Sequence, residues 1–86
     1  WTALTRGDLR AAEDFYRQSL ALNEALGSKE GIATQLANLG ALAKARGDIP
    51  AACVHWSRAL ALFREVGAQP QVETVEGLLR RAECGG

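Results

Sequence analysis

This chain of 86 residues has no net charge, no long apolar run and very few chemically reactive side chains. Ten basic and ten acidic residues cancel, so no global field draws in nucleic acid or an anionic membrane surface. No stretch approaches the ~18–20 apolar residues that cross a bilayer, and no basic-then-apolar leader opens the chain. Neither nucleic acid nor membrane is therefore expected among its partners. The only cysteines are Cys53 and Cys84, and neither has a second Cys or His nearby at metal-ligand spacing. Two free helical thiols in a reducing, cytoplasmic setting are the plainer reading, and a disulfide between them is the alternative. There is no Gly-rich phosphate loop, so no cofactor is expected. The sequence contains no Met and starts at Trp1, which leads us to expect a processed or excised piece.

A chain this short forms one domain at most, and an ordinary globule of that size buries only about 60–65% of its unfolded surface. What it does contain is a tandem repeat. Arg6-Gly7-Asp8-Leu9-Arg10-Ala11-Ala12 returns forty residues later as Arg46-Gly47-Asp48-Ile49-Pro50-Ala51-Ala52. The same shift pairs Leu20 with Leu60, Gly27 with Gly67, Leu39 with Leu79 and Tyr16 with Trp56. A period of this length signals units that bury their apolar faces against neighbouring units.

Within each unit the apolar residues recur at steps of three and four, which is the spacing of helices rather than strands. A first helix is predicted from Asp8 to Leu26, with Leu9, Ala12, Phe15, Tyr16, Leu20, Leu22 and Leu26 inward, Asp8 as its cap and Gly27 at its end. Ser28 caps a second helix from about Lys29 to Ala45, which turns Ile32, Leu36, Leu39, Leu42 and Ala43 inward and is closed by Gly47. A third, Ile49 to Val66, starts behind Asp48 with Pro50 in its first turn, where a missing N–H costs nothing, and ends before Gly67. A last helix should begin near Pro70 and present Val72, Val75, Leu78, Leu79 and Ala82 before a fraying tail at Cys84. Trp1 to Arg6 align with Ala41 to Arg46 and read as the stump of an earlier helix. Both Arg-Gly-Asp triplets, at 6–8 and 46–48, read as corners where Gly turns the chain and Asp caps the next helix. The expected architecture is all-α: antiparallel helical hairpins in one domain, residues 1–86, with units at roughly 1–27, 28–67 and 68–84.

Leu36-Ala-Asn-Leu-Gly40-Ala-Leu-Ala43, followed by Gly47-Asp48, Ala52, Trp56 and Ala59-Leu60, resembles a tetratricopeptide repeat, and the resemblance covers nearly the whole chain. It implies an α-solenoid in which Gly40, Ala52 and Ala59 let two helices approach closely while Leu36, Leu39 and Trp56 fill large apolar positions. Ala12, Tyr16 and Leu20 are the counterparts in the first unit. The usual repeat is about thirty-four residues long; a period of forty is similar to the long-repeat branch of kinesin light chain, the GoLoco-containing spindle adaptors and many bacterial regulators. Arg80 stands where the close-contact Gly would be, so the last helix reads as a terminal cap or a divergent copy.

The same resemblance implies a concave groove, lined by the first helix of each hairpin, that binds a peptide or helix of a partner protein. On the matched positions Thr34, Asn38, Ala41 and Lys44 would face it, with Ala37 and Ala45 beside them and Arg81 as a further basic contact. Asn38 offers both a donor and an acceptor, which suits clamping a peptide backbone, or equally bridging neighbouring helices. Lys44 and Arg81 suit an acidic or carboxylate-bearing partner. The lone His55 sits beside Trp56 on a packing helix, so catalysis is not expected. The expected function is a protein-interaction scaffold rather than an enzyme. The alternatives are self-association through exposed end helices, and a sensor segment of a larger regulator.

Overall fold

The computed structural model describes residues 6–84, in four α-helices: α1 (Arg6–Leu26), α2 (Lys29–Ala45), α3 (Ile49–Val66) and α4 (Gln69–Arg81). There is no strand among the described residues. Short-range chemistry sets most of the boundaries. The Ser28 hydroxyl accepts from the Gly31 N–H at 3.2 Å and the Asp48 carboxylate from the Ala51 N–H at 3.3 Å, so each quiets a donor that the helix start leaves unpaired. Gly27, Gly47 and Gly67 all take left-handed φ angles of 72–82°, which an L side chain resists, and so end α1, α2 and α3. Pro50 lies in the first turn of α3 and Pro70 in that of α4.

The first corner differs from this expectation. The helix is already formed at Arg6, so Gly7 makes no turn and Asp8 lies within the first turn of α1 instead of preceding it. The cause is visible one turn downstream. A helix running through Arg46 to Pro50 would drive the proline ring into the carbonyl four residues earlier, which forces the break at Gly47. The matching position in the first unit is Arg10, which imposes no break. The reading of Trp1 to Thr5 as a helix stump lies outside the described residues.

Packing centres on the α2–α3 pair, which shares the largest interface, with α1 laid on α2 and α4 on α3. Leu36, Trp56 and Phe63 are the bulky buried members, and Ala33, Ala52 and Ala59 the small ones. Trp56 is 1% exposed, and its indole N–H donates to the Ala37 carbonyl at 3.1 Å. The ring lies against Gly40: a Cβ there would be 2.9 Å from Cε2 and closer still to Nε1 and Cδ1. Gly40, Ala52, Trp56 and Ala59 thus act as packing residues. Leu20 and Leu60 are half-buried against the core, and Ala12 and Tyr16 are half-buried on α1. Of the residues expected inward on α1, Phe15, Leu22 and Leu26 instead stand 63%, 67% and 80% exposed.

The two cysteines are bonded to one another, which corrects the reading as free thiols. After α4 the chain turns through Glu83 in a left-handed conformation, φ 56°, and returns Cys84 to Cys53 with a Cα–Cα distance of 5.6 Å. Cys84 is therefore pinned rather than frayed. The pairing depends on where α4 stops, at Arg81, and on that turn. Helical spacing alone reports neither.

Among the described residues, ion pairs join neighbouring helices at Arg46–Glu13 (2.6 Å), Lys29–Glu65 (2.6 Å) and Arg64–Glu76 (2.7 Å). Glu13, Arg64 and Glu65, whose charge alone would suit a solvated face, are thus clips between helices, each worth under about 1 kcal/mol at such exposure.

Two outcomes test this packing. Gly77, mid-helix in α4, has open space where a Cβ would go, so Gly77→Ala should raise unfolding free energy by ~0.5–1 kcal/mol. Gly40→Ala should lower it by about 1 kcal/mol or more, because the clash with a rigid indole outweighs the same propensity gain. Urea melts giving both changes the same sign would refute the tight α2–α3 crossing. Separately, the disulfide closes a 31-residue separation, so Cys53→Ser with Cys84→Ser should cost ~3–4 kcal/mol; a melt unchanged by the double substitution would show that the bond does not restrain the unfolded chain.

Candidate functional site

Helix arithmetic puts Thr34, Asn38, Ala41 and Lys44 on one face of α2, since steps of four, three and three stay within one side of a 3.6-residue turn. The opposite face carries Leu36, Leu39, Gly40 and Ala43 into the core. Thr34, Ala41, Lys44 and Ala45 are exposed, and Ala37 and Asn38 half-buried. The Thr34 hydroxyl donates back to the Glu30 carbonyl at 3.0 Å. The Asn38 amide makes one long bond, donating to the Gln35 side-chain oxygen at 3.5 Å, which leaves its carbonyl oxygen and a second N–H for other partners. Arg81 does not join this group. It is the exposed last residue of α4, and among the described residues no hydrogen bond or ion pair connects it to the α2 face.

A second polar feature, not anticipated from sequence, lies between α1, α2 and α3. Glu13 and Arg17 of α1, Arg46 at the end of α2, and Asp48 and His55 at the start of α3 line a cavity of about 120 Å³, floored by Leu39, Leu42 and Ala43. The Glu13 carboxylate bonds both Arg17 and Arg46, at 2.7 and 2.6 Å. These two bonds lower its pKa from the usual 4.5, against a smaller opposing effect of burial. His55 is half-buried, and its Nδ1 has no hydrogen-bond partner. Burial first, then the charges of Arg17 and Arg58, hold its pKa below 6.5, with Glu13 and Asp48 pulling weakly the other way. The internal repeat carries a signal for this: His55 occupies the position of Phe15, so an imidazole stands where its counterpart is apolar.

Chemically the cavity offers little beyond ion pairing. It is well below the ~300–1,000 Å³ typical of ligand clefts. Its lining holds no hydroxyl or thiol for His55 to activate. No cluster of three or more His, Cys, Asp or Glu side chains suited to a metal ion occurs among the described residues. None of the described helices is long and apolar enough to cross a membrane. The chain matches no protein-family model, no curated protein and no solved structure.

The His55 environment has a measurable consequence. A folded-state pKa below the unfolded value means that the neutral ring is favoured by folding. Its contribution is therefore complete above pH ~6.5 and fades as pH falls through the lowered folded value. Wild-type melting temperature should decline on acidification from pH 7 to 5 more steeply than that of His55→Gln, whose side chain cannot protonate. Parallel curves for the two proteins across that window would contradict the assigned environment.

Proposed function

We propose that the chain is a protein-interaction module of the tetratricopeptide type, whose α2 face receives an extended or helical segment of a partner protein. What supports this reading is an asymmetry of α2. One side of the helix is buried through Leu36, Leu39, Gly40 and Ala43, while the other presents Thr34, Ala41, Lys44 and the half-buried Asn38 to solvent. Short side chains at Thr34, Ala37, Ala41 and Ala45 let a ligand backbone come close. Asn38 then supplies a donor and an acceptor to a main chain whatever its sequence, and Lys44 adds a cation for an acidic residue or terminal carboxylate. Arg81 enters this proposal only as a flanking charge on α4. Catalysis plays no part in it, and the short corners between consecutive helices fit a stack of hairpins.

The Cys53–Cys84 bond favours an oxidising setting over the reducing cytoplasm expected from composition.

Selection of a displayed random-peptide library against the folded, oxidised chain supplies the probe. Asn38→Ala should weaken the selected peptides by about tenfold and Ala41→Arg, which fills the face, by more, while melting temperature stays within about 1 °C because neither side chain is core. Binders whose affinity ignores both substitutions would locate recognition elsewhere and remove this reading.

A further inference from the structure

The anchors of α4 are concentrated in its first half. Val72 and Val75, its buried residues, lie in the first two turns, and the Arg64–Glu76 pair ties its middle to α3. Beyond Glu76, Leu78, Leu79 and Ala82 are only half-buried, and Arg80 and Arg81 are exposed. Gly77 weakens the helix at this point, and a Cβ there would meet nothing. Among the described residues, no side-chain hydrogen bond or ion pair joins residues 77–84 to another helix. The turn that follows holds Glu83 at φ 56°, a backbone region that L side chains disfavour. Its own backbone bonds, from Glu83 to Arg80 and from Cys84 to Leu79, stay within the end of α4. The covalent link from Cys84 to Cys53 is therefore the strong tie between this segment and α3.

We infer that Cys53–Cys84 is a redox latch on the second half of α4. This goes beyond the proposed peptide face on α2 and does not depend on it. While the bond is intact, residues 77–84 are kept on α3. A small dithiol is the class of reductant that opens it. One thiolate of the dithiol attacks Cys84 Sγ, the S–S bond breaks, and Cys53 leaves as a thiolate that takes up a proton. The second thiolate of the reductant then displaces Cys84 from the mixed disulfide. Two electrons and two protons pass to the protein, which ends with two thiols while the reductant ends as a cyclic disulfide. Attack falls on Cys84 because this residue borders a groove of about 550 Å³ with Ser57, Leu79, Arg80 and Glu83, whereas Cys53 does not line it.

Once the link is cut, partial burial of Leu78, Leu79 and Ala82 must by itself hold residues 77–84 in order. That segment contains a mid-helix glycine and a disfavoured turn, and its ordering entropy outweighs so small an apolar contact. The end of α4 then unwinds as a local unit. The α2–α3 pair, fastened through Trp56 and Gly40, keeps its packing. Opening bares Cys53 and the α3 surface around it.

Solution NMR of the whole chain, recorded before and after addition of excess dithiothreitol, tests the latch. On reduction the Cα shifts of residues 77–84 should lose most of their helical displacement, while those of α2 and α3 and the Trp56 indole N–H resonance stay in place. Reoxidation with oxidised glutathione should restore the original spectrum. Cys53→Ser with Cys84→Ser should show the opened spectrum without reductant and should not respond to dithiothreitol, which separates loss of this bond from any other action of the reagent. Helical shifts that persist through residue 84 in the reduced chain would overturn the inference. So would loss of the dispersed Trp56 resonance in either reduced or substituted protein, since the bond would then hold the entire fold and not one helix end.

Discussion

The Trp56 indole lying against the bare backbone of Gly40 is the contact from which the rest of the arrangement is hung. A buried Trp contributes a large apolar area, but its N–H must be satisfied, and the Ala37 carbonyl on the facing helix does so. The donor therefore reaches across to α2 instead of to solvent, which couples packing and hydrogen bonding in one side chain. Ala52 and Ala59, fully buried one turn to either side of Trp56, present no bulk that would lift α3 away. One large knob between two small residues thus meets one empty site, and this fixes how near and at what register α2 and α3 lie. Close-packed interiors tolerate little deviation from such a fit.

α1 and α4 are held more lightly, and by different means. α1 relies on Leu9 and half-buried residues such as Leu20, with the Glu13–Arg46 pair at its edge. α4 buries Val72 and Val75 but begins at Ala68 with no side-chain cap, and its far end is held by the covalent link to Cys53. A helix with two buried valines and an uncapped start gains little from burial. Closing a loop through the disulfide compensates by restricting the unfolded chain rather than adding contacts. The two ends of the molecule are consequently unlike: one is an apolar helix face, the other a tethered turn.

Features that depend on a few consecutive residues were legible in the sequence. The ends of α2 and α3 fell where Ser28, Gly47, Asp48 and Gly67 placed them, because a cap or a left-handed turn is chemistry on a four-residue scale. The shared face of Thr34, Asn38, Ala41 and Lys44 followed from helical geometry alone. What required knowing how helices sit against each other was not legible. Arg81 is a matched position in the repeat, yet its relation to α2 depends on the placement of α4. The Cys53–Cys84 pairing needed the left-handed turn at Glu83. The partners of Glu13 come from its own helix and from Arg46, thirty-three positions away. At Gly7 the relevant information was present but outweighed by the repeat: Arg10 in place of Pro50 removes the reason for a break, and a triplet identical to its copy adopts a different backbone.

The proposed recognition on a helix face is compatible with these same constraints. The cavity between α1, α2 and α3 is small, and Glu13, Arg17 and Arg46 already commit its charges to one another. The α2 face, by contrast, belongs to a pair locked through Trp56 and Gly40, so a ligand on the proposed face would meet a backbone already held in place. Its short side chains have little rotamer freedom to lose. On the proposed interaction face the conformational cost of binding falls on Lys44, on the Asn38 amide and on the ligand itself. Such a face would grip a main chain without selecting strongly among side chains, which leaves specificity to the charges at the end of α2.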